Sequence, residues 1–173
     1  LRPSFNFDRN MATVVISDMP EPGKKDYLSS LEDMLYKVHV SMNGSVLTLF
    51  TNRHDMERVY SLLSPRLAAE GLELCCQTKG SSPRQLRESF ITNTTQSLFA
   101  LRAFWEGFDA IGDTLRCVVI PKLPFSNPQD PLVCERESRE SRSWWRYSLP
   151  EAILAVKQAA GRLIRTKTDT GIL

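Results

Sequence analysis

Residues 45–69 read SVLTLFTNRHDMERVYSLLSPRLAA, and they carry in one piece the pattern that decides the fold. The opening residues, 45–51, form a short run of leucine, β-branched and aromatic side chains that is typical of a buried strand. Over the residues that follow, large apolar side chains recur every three or four positions, which is typical of an amphipathic helix. A buried strand that leads directly into such a helix predicts a β–α unit of a parallel sheet.

The same alternation of strand-like and helix-like segments continues on both sides of this unit. It predicts further strands at 13–17, 72–77, 96–101 and 116–121, and further helices at 25–42, 83–92 and 148–165. Residues 171–173 look like the opening of another strand. Because this alternation favours right-handed crossovers, we predict one α/β domain over residues 1–173, with a mostly parallel sheet covered by helices on both faces.

Composition narrows the functional class. A net charge of +2 over 173 residues gives no overall basic field, so any affinity for DNA must come from a local patch. No apolar run is long enough to span a bilayer, and the first residues lack an apolar signal core, so we expect a cytoplasmic protein without a membrane partner. The lack of an initiator Met and the strand-like ending suggest a piece of a longer protein.

The four cysteines and two histidines do not form a recognisable metal site. No cysteine has CxxC spacing, so we predict free thiols, mostly buried, with neither a metal nor a disulfide framework. His39 and His54 have no partner motif, and we interpret both as residues on helix surfaces.

The last predicted helix carries a polar stripe on an otherwise apolar segment. At roughly 100° per residue, Gln158, Arg162 and Arg165 share one side of it. Guanidinium groups match phosphate oxygens in a bidentate way, and Gly161 leaves room for a ligand or a facing domain to come close. We expect this stripe to face phosphates at a crevice on the carboxyl edge of the sheet; the alternative is that both arginines only complement the helix dipole. The apolar residues expected on the buried side are Leu149, Ile153, Val156, Ala160, Leu163 and Ile164.

Polar residues that directly follow predicted strands form a second candidate group, because ligands bind outside the carboxyl ends of parallel strands. Thr51, Asn52 and Arg53 follow the strand at 45–51, where hydroxyl, amide and guanidinium groups at a helix N-terminus suit a phosphate. An N-cap by Thr51 or Asn52 explains the same residues equally well. Lys122 follows the strand at 116–121.

Residues 102–109, after the strand at 96–101, contain one acidic residue on each side of a glycine. Glu106, Gly107 and Asp109 lie among large aromatic residues, and such acids can position a ribose hydroxyl or an attacking water. The pattern is short and by itself has low specificity. Further along, Trp144, Trp145 and Tyr147 suit base stacking or a partner domain, but packing against the last helix explains them equally well.

No phosphate-binding loop is present in the sequence. Gly23, Lys24 and Lys25 lack the upstream glycine and the Ser or Thr that such a loop requires. An arginine pair without its own P-loop makes physical sense if this domain completes a nucleotide site that another domain builds, as an arginine finger does.

Three blocks of sequence carry a resemblance to a known family. They are VLTLFTN at 46–52, FWEGFDAIGDTLRCVVIPKLPF at 104–125 and QAAGRLIR at 158–165. In this order and spacing they resemble motifs IV, V and VI of superfamily 2 DNA helicases, and they are most similar to the DinG and XPD branch. The middle block is highly specific, whereas the last is shared by many helicases.

The resemblance implies the second RecA-like domain of an ATP-driven, 5′-to-3′ DNA helicase: a three-layer αβα domain of the P-loop NTPase superfamily without its own P-loop. The implied partners are single-stranded DNA and the P-loop domain of the same protein, with ATP and Mg²⁺ bound in the complete protein and the Mg²⁺ ligands outside this chain. By position, Gln158, Arg162 and Arg165 would face the nucleotide phosphates, with Arg165 as the finger beside Gly161. Glu106, Gly107 and Asp109 would couple nucleotide to DNA, and Thr51 would contact the strand backbone.

One departure from the family pattern bears on this expectation. Small hydroxyl residues often precede the FWEG block in relatives, whereas this chain has Leu101, Arg102 and Ala103, so we assign the lost DNA contact to Arg102 as a hypothesis. The cysteines do not match iron-sulfur ligands, so no cluster is expected in this chain. Two alternatives remain: a degenerate helicase-like module that binds nucleic acid or protein without turnover, and a generic mononucleotide-binding enzyme, which the missing phosphate loop makes unattractive.

Overall fold

The computed structural model describes residues 7–101, 104, 114–164 and 166–173. In chain order the elements are α1 (Phe7–Asn10), β1 (Met11–Ala12), α2 (Tyr27–Met42), β2 (Val46–Leu49), α3 (Arg53–Ala69), β3 (Leu74–Cys76), α4 (Pro83–Thr92), β4 (Ser97–Ala100), β5 (Cys117–Val119), α5 (Pro131–Arg139), a π-helical turn (Trp144–Ser148), α6 (Leu149–Leu163) and β6 (Gly171–Ile172). The helices α3 and α4 have the predicted bounds, and the strands β2 to β5 lie inside the predicted runs.

The strands form one parallel sheet in the order β1-β6-β5-β2-β4-β3 across the described residues. The register places Leu47 of β2 beside Leu98 of β4 on one side and beside Val118 of β5 on the other. Since β2 lies between β4 and β5, the chain crosses the sheet after β4, and this crossover defines the doubly covered α/β topology. The predicted parallel sheet is confirmed.

Helices cover both faces of the sheet because side chains alternate between faces along each strand. On one face, Leu47 and Leu98 pack in a buried cluster with α4 and α6, represented by Phe90 and Ala159. On the other face, Phe99 packs in a second cluster with residues of α2 and α3. The result is the three-layer αβα arrangement expected from the sequence.

The first predicted strand is wrong in position. The structure has β1 at Met11–Ala12, and Val15, inside the predicted run at 13–17, is 84% exposed. Beyond β1, this run forms one backbone hydrogen bond with the rest of the described chain, from the Val14 N–H to the Leu173 carbonyl at 2.7 Å. An apolar run predicts a strand only where neighbouring strands hold it, and this run has a neighbour for one residue of its length.

The buried side of α6 agrees with the prediction at Ala160, Leu163 and Ile164 and differs from it at Ile153. Ala152, Ala159, Ala160 and Leu163 are buried, whereas Ile153 is 46% exposed. Small alanine side chains allow the helix to approach the sheet closely, so the helix is rotated relative to the position that its largest apolar residues indicated.

His39 is the third correction, because it is fully buried in α2 and not on a helix surface. Its Nδ1 lies 2.9 Å from the Ser97 hydroxyl, and its ring packs against Phe99 with centroids 5.9 Å apart. Burial lowers the pKa of His39 to about 4, so the ring is neutral in the folded protein. His54 is exposed, as predicted.

Candidate functional site

The carboxyl edge of the sheet carries the first group of predicted site residues. Asn52 is the N-cap of α3, and its side-chain oxygen accepts a hydrogen bond from the Asp55 N–H at 2.8 Å. The capping explanation therefore holds for Asn52, whose amide oxygen is used within the domain. Thr51 is exposed, and its hydroxyl has no hydrogen bond to any described residue, so it remains open to a ligand.

Arg53 also has a structural contact at this edge. Its guanidinium donates to the Gln77 carbonyl at 2.9 Å and lies 3.3 Å from Glu57 Oε1, which ties the start of α3 to the end of β3. Gln77 in turn accepts a hydrogen bond from the Leu101 N–H at 2.9 Å through Oε1. Sequence reasoning missed Gln77, although a buried amide directly after a strand is a signal for such a bridge.

The loop after β5 begins at the same carboxyl ends of the strands. The Tyr27 hydroxyl at the start of α2 donates to the Pro121 carbonyl at 3.0 Å, and burial together with the Asp55 charge raises the pKa of Tyr27, so the donor keeps its proton. Lys122 follows immediately; it is exposed and forms no ion pair within the part of the chain that the structure describes. The Thr51 hydroxyl and the Lys122 ammonium are thus both exposed hydrogen-bond donors at the carboxyl ends of the strands, and the ammonium also carries a positive charge.

The second group lies on α6. Gln158, Gly161 and Arg162 are all half-buried and share one side of the helix, as predicted from the helical period. A Cβ added at Gly161 would meet no heavy atom within 4 Å. An interior glycine costs a helix about 1 kcal/mol relative to alanine, and no contact of the described residues requires one at this position.

The two groups lie at opposite ends of the parallel strands, the first at the carboxyl ends and the second near the amino ends. Leu163, at the end of α6, packs on Gly171 at the start of β6, where an added Cβ would lie 2.8 Å from Leu163 Cδ2. The register sets Ile172 beside Cys117 and Cys117 beside Val46. Thr51 follows Val46 by five residues, or roughly 16 Å along the strand.

Arg162 therefore does not lie at the carboxyl edge, where the general rule for ligands of parallel sheets placed the whole site. The physical reason is connectivity, because a helix that precedes a parallel strand must end near the amino end of that strand. The half-buried polar side of α6 therefore lies apart from the exposed side chains of Thr51 and Lys122.

Several predicted site residues lie outside the described residues: Arg102, Glu106, Gly107, Asp109 and Arg165. Their chain neighbours Phe104 and Leu115 are both buried in the cluster under α4 and α6. The Arg87 guanidinium lies over the Phe104 ring at 5.0 Å, a cation–π contact that fixes this residue beside α4.

Two of the four thiols are buried and stay protonated. All four cysteines are free, and burial raises the pKa of Cys76 to about 12 and that of Cys117 to about 11. Cys134 is exposed on α5, which corrects the expectation of burial for that residue. Within the described ranges, no three His, Cys, Asp or Glu side chains are grouped to hold a metal ion, and no helix is long and apolar enough to cross a bilayer.

Comparison with known proteins shows the class of protein to which this fold belongs. A family model described as the helicase C-terminal domain matches residues 35–173, and the chain belongs to this family. Its fold is similar to an apo form of XPD, with a TM-score of 0.68 and 20% identity over 94% of this chain and 34% of the other. It is also similar to Lhr of Mycobacterium smegmatis bound to ssDNA and AMP-PNP, with a TM-score of 0.60 and 14% identity over 95% of this chain and 19% of the other. These likenesses show a RecA-like fold.

Sequence relatives narrow the branch within that family to DinG and YoaA. The chain is 34% identical to the ATP-dependent DNA helicase YoaA of Escherichia coli (strain K12) over 100% of its own length and 27% of the relative. It is 30% identical to the 3′-5′ exonuclease DinG of Bacillus subtilis (strain 168) over 98% of its own length and 19% of the relative. The chain is a DinG/XPD-like helicase C-terminal domain that spans about a quarter or less of the relatives it matches.

Proposed function

We propose that this chain is the second motor domain of an ATP-dependent, 5′-to-3′ DNA helicase. It closes on a P-loop RecA-like domain of the same protein and completes the ATP site from outside. Arg165 is the arginine finger, and Arg162 and Gln158 contact the nucleotide phosphates beside Gly161. ATP and Mg²⁺ are bound by the P-loop domain, which supplies the metal ligands, and the protein works in the cytoplasm.

Gly161 is the observation that carries this proposal. The glycine weakens its helix, no packing inside the described domain requires it, and it lies between an amide and a guanidinium on the same helical side. A bound phosphate or a facing backbone accounts for all three facts, because each needs close approach to the helix together with hydrogen-bond donors. The helix-dipole explanation accounts for the arginine alone.

The carboxyl edge is the proposed track for single-stranded DNA. Thr51 and Lys122 contact phosphates, with Asn52 and Arg53 shaping the start of α3 and with Arg102 as a further contact. Glu106, Gly107 and Asp109 link this edge to the nucleotide. The distance between the carboxyl ends of the β-strands and the end of α6 supports this assignment. A motor must hold the nucleotide and the DNA strand at the same time, while closure of the cleft between the domains moves one relative to the other.

The test is DNA-stimulated ATP hydrolysis by the intact protein with Arg165→Ala. Removal of an arginine finger lowers kcat by about 10³-fold or more while ATP binding is kept, because the guanidinium stabilises charge that develops in the transition state. The matched control is Lys157→Ala, an exposed cation on α6, which leaves the rate unchanged. Hydrolysis by Arg165→Ala at the unmutated rate refutes the assignment, and strand displacement on 5′-tailed against 3′-tailed duplexes tests the polarity.

Gly161→Ala gives an independent measure of the same site. The methyl group meets open space in the isolated domain, so the free energy of unfolding rises by about 0.5–1 kcal/mol. ATP hydrolysis by the intact protein falls at least tenfold, because the methyl group occupies the path of approach. A variant that loses activity and stability together contradicts this proposal, since the glycine would then serve the fold.

The second candidate is a helicase-like module that binds nucleic acid or a protein partner without turnover of its own. One finding favours it: the Bacillus subtilis relative is named for exonuclease activity. The two candidates differ in the P-loop domain. A GxxxxGK[ST] motif and an acidic metal-binding box in the sequence upstream favour the motor, and their absence favours the module.

A further inference from the structure

Three aromatic side chains form an exposed cluster that the proposed motor function does not use. Phe125 and Trp144 are stacked, with ring centroids 5.9 Å apart and an interplanar angle of 26°. Trp145 meets Trp144 edge to face, with centroids 4.7 Å apart. Trp145 is 67% exposed and Trp144 is 42% exposed, so these rings offer large apolar faces to the surroundings of the domain.

The two tryptophans belong to an element that is continuous with α6. Trp144 and Trp145 lie in the π-helical turn that runs directly into α6, and such turns occur often at functional sites. Tyr147 in the same turn is covered by the guanidinium of Arg136, 4.7 Å from the ring centroid, and that arginine also pairs with Glu151 of α6 at 2.8 Å. The turn is therefore joined to α5 and α6 by contacts that involve neither tryptophan ring.

Charge at the rim points to a negatively charged occupant. Lys122 and Arg142 flank the cluster in sequence, both are exposed, and neither forms an ion pair with a described residue. Phe125 belongs to the loop that leaves the carboxyl end of β5, so the cluster continues the edge that carries Thr51 and Lys122. Stacked aromatic faces beside unpaired cations match the chemistry of a single strand, whose bases stack while its phosphates attract cations.

We propose that Phe125, Trp144 and Trp145 form a base-stacking platform for single-stranded DNA on the carboxyl-edge side of the domain. The inference rests on the proposed helicase function and adds to it the part of the strand that each surface recognises. Thr51 and Lys122 contact phosphates, and Trp145 stacks on the flat faces of bases. This stacking does not depend on the base sequence, because every base has such a face.

The experiment measures binding of an oligo-dT strand, and of an abasic strand of equal length, to the intact protein by fluorescence anisotropy. The abasic strand keeps the phosphates and removes the bases. Trp145→Ala weakens binding of oligo-dT about tenfold, leaves binding of the abasic strand unchanged, and is rescued within about twofold by Trp145→Phe, which keeps a stacking face. Lys122→Ala weakens both strands equally, and Leu62→Ala, a comparably exposed apolar side chain on α3, changes neither.

The outcomes separate this inference from the function on which it rests. If the unmutated protein binds neither strand, the proposed DNA-binding function fails. If it binds DNA and Trp145→Ala has no effect on oligo-dT, the platform alone is refuted. Equal weakening of both strands by Trp145→Ala also refutes it, because the tryptophan then acts through contact with another domain or protein. Unchanged thermal unfolding of Trp145→Ala excludes a folding defect.

Discussion

Gly44→Ala offers a sharp test of the packing between α2 and the sheet. Gly44 connects α2 to β2 with a φ of +81°, and a Cβ there would lie 1.9 Å from the Thr95 carbonyl oxygen. The positive φ costs an alanine about 1–2 kcal/mol. The overlap forces the two backbones apart by more than an ångström, which adds about 1–3 kcal/mol of overpacking.

The Thr95 backbone cannot easily move to relieve this overlap. The Asn93 side chain accepts hydrogen bonds from the Thr95 N–H at 3.1 Å and from its hydroxyl at 2.9 Å, and the Ser45 hydroxyl donates to the Thr94 carbonyl. These contacts fix the turn that leads into β4. After the gain of about 0.4–1 kcal/mol from a less flexible unfolded chain, we expect Gly44→Ala to lower the free energy of unfolding by about 3 kcal/mol.

Gly71→Ala is the matched control, since Gly71 has a φ of +73° and an added Cβ there would meet nothing within 4 Å. It carries the conformational cost without the overlap, so we expect a loss of about 1 kcal/mol. Urea unfolding of both variants, followed by circular dichroism, measures the difference directly. Losses that agree within about 0.5 kcal/mol refute the argument, because the clash with Thr95 would then contribute nothing.

Two further predictions concern buried polar groups. The pKa of His39 is about 4 in the folded protein and 6.5 in the unfolded chain, so the unfolded chain binds more protons between these pH values. The free energy of unfolding therefore falls by about 3 kcal/mol as the pH drops from 6.5 to 4. His39→Gln flattens this pH dependence in urea titrations, whereas His54→Gln, at an exposed position, keeps it; an equal slope in all three proteins contradicts the burial argument. The Thr48 hydroxyl is buried and has no hydrogen bond to any residue that the structure describes. Thr48→Val therefore raises the thermal midpoint by removing a desolvated polar group at nearly constant volume, with a gain of about 1 kcal/mol. A lower midpoint for Thr48→Val would mean that the hydroxyl is satisfied in solution.

Much of the fold could be predicted from local patterns. The period of apolar residues placed α3 and α4 at their observed bounds, because a helix and its cap depend on side chains within a few residues of each other, such as Ser82 and Gln85. The same period put Gln158 and Arg162 on one side of α6. The motif blocks indicated the helicase family because those residue types and spacings recur in its members.

The tertiary structure alone decided how these pieces meet. The strand order, the alanine face of α6 and the buried His39 depend on contacts between residues far apart in the chain, on which the helical period carries no information. The stacking of Phe125 on Trp144 likewise joins the loop after β5 to the π-helical turn, two segments that the sequence leaves unrelated. The sequence by itself determined which side chains share a helix or follow a strand. The connection of α6 to a parallel strand of the sheet set Arg162 and Thr51 at opposite ends of the strands, because long-range pairing decides position where local hydrogen bonding decides only shape.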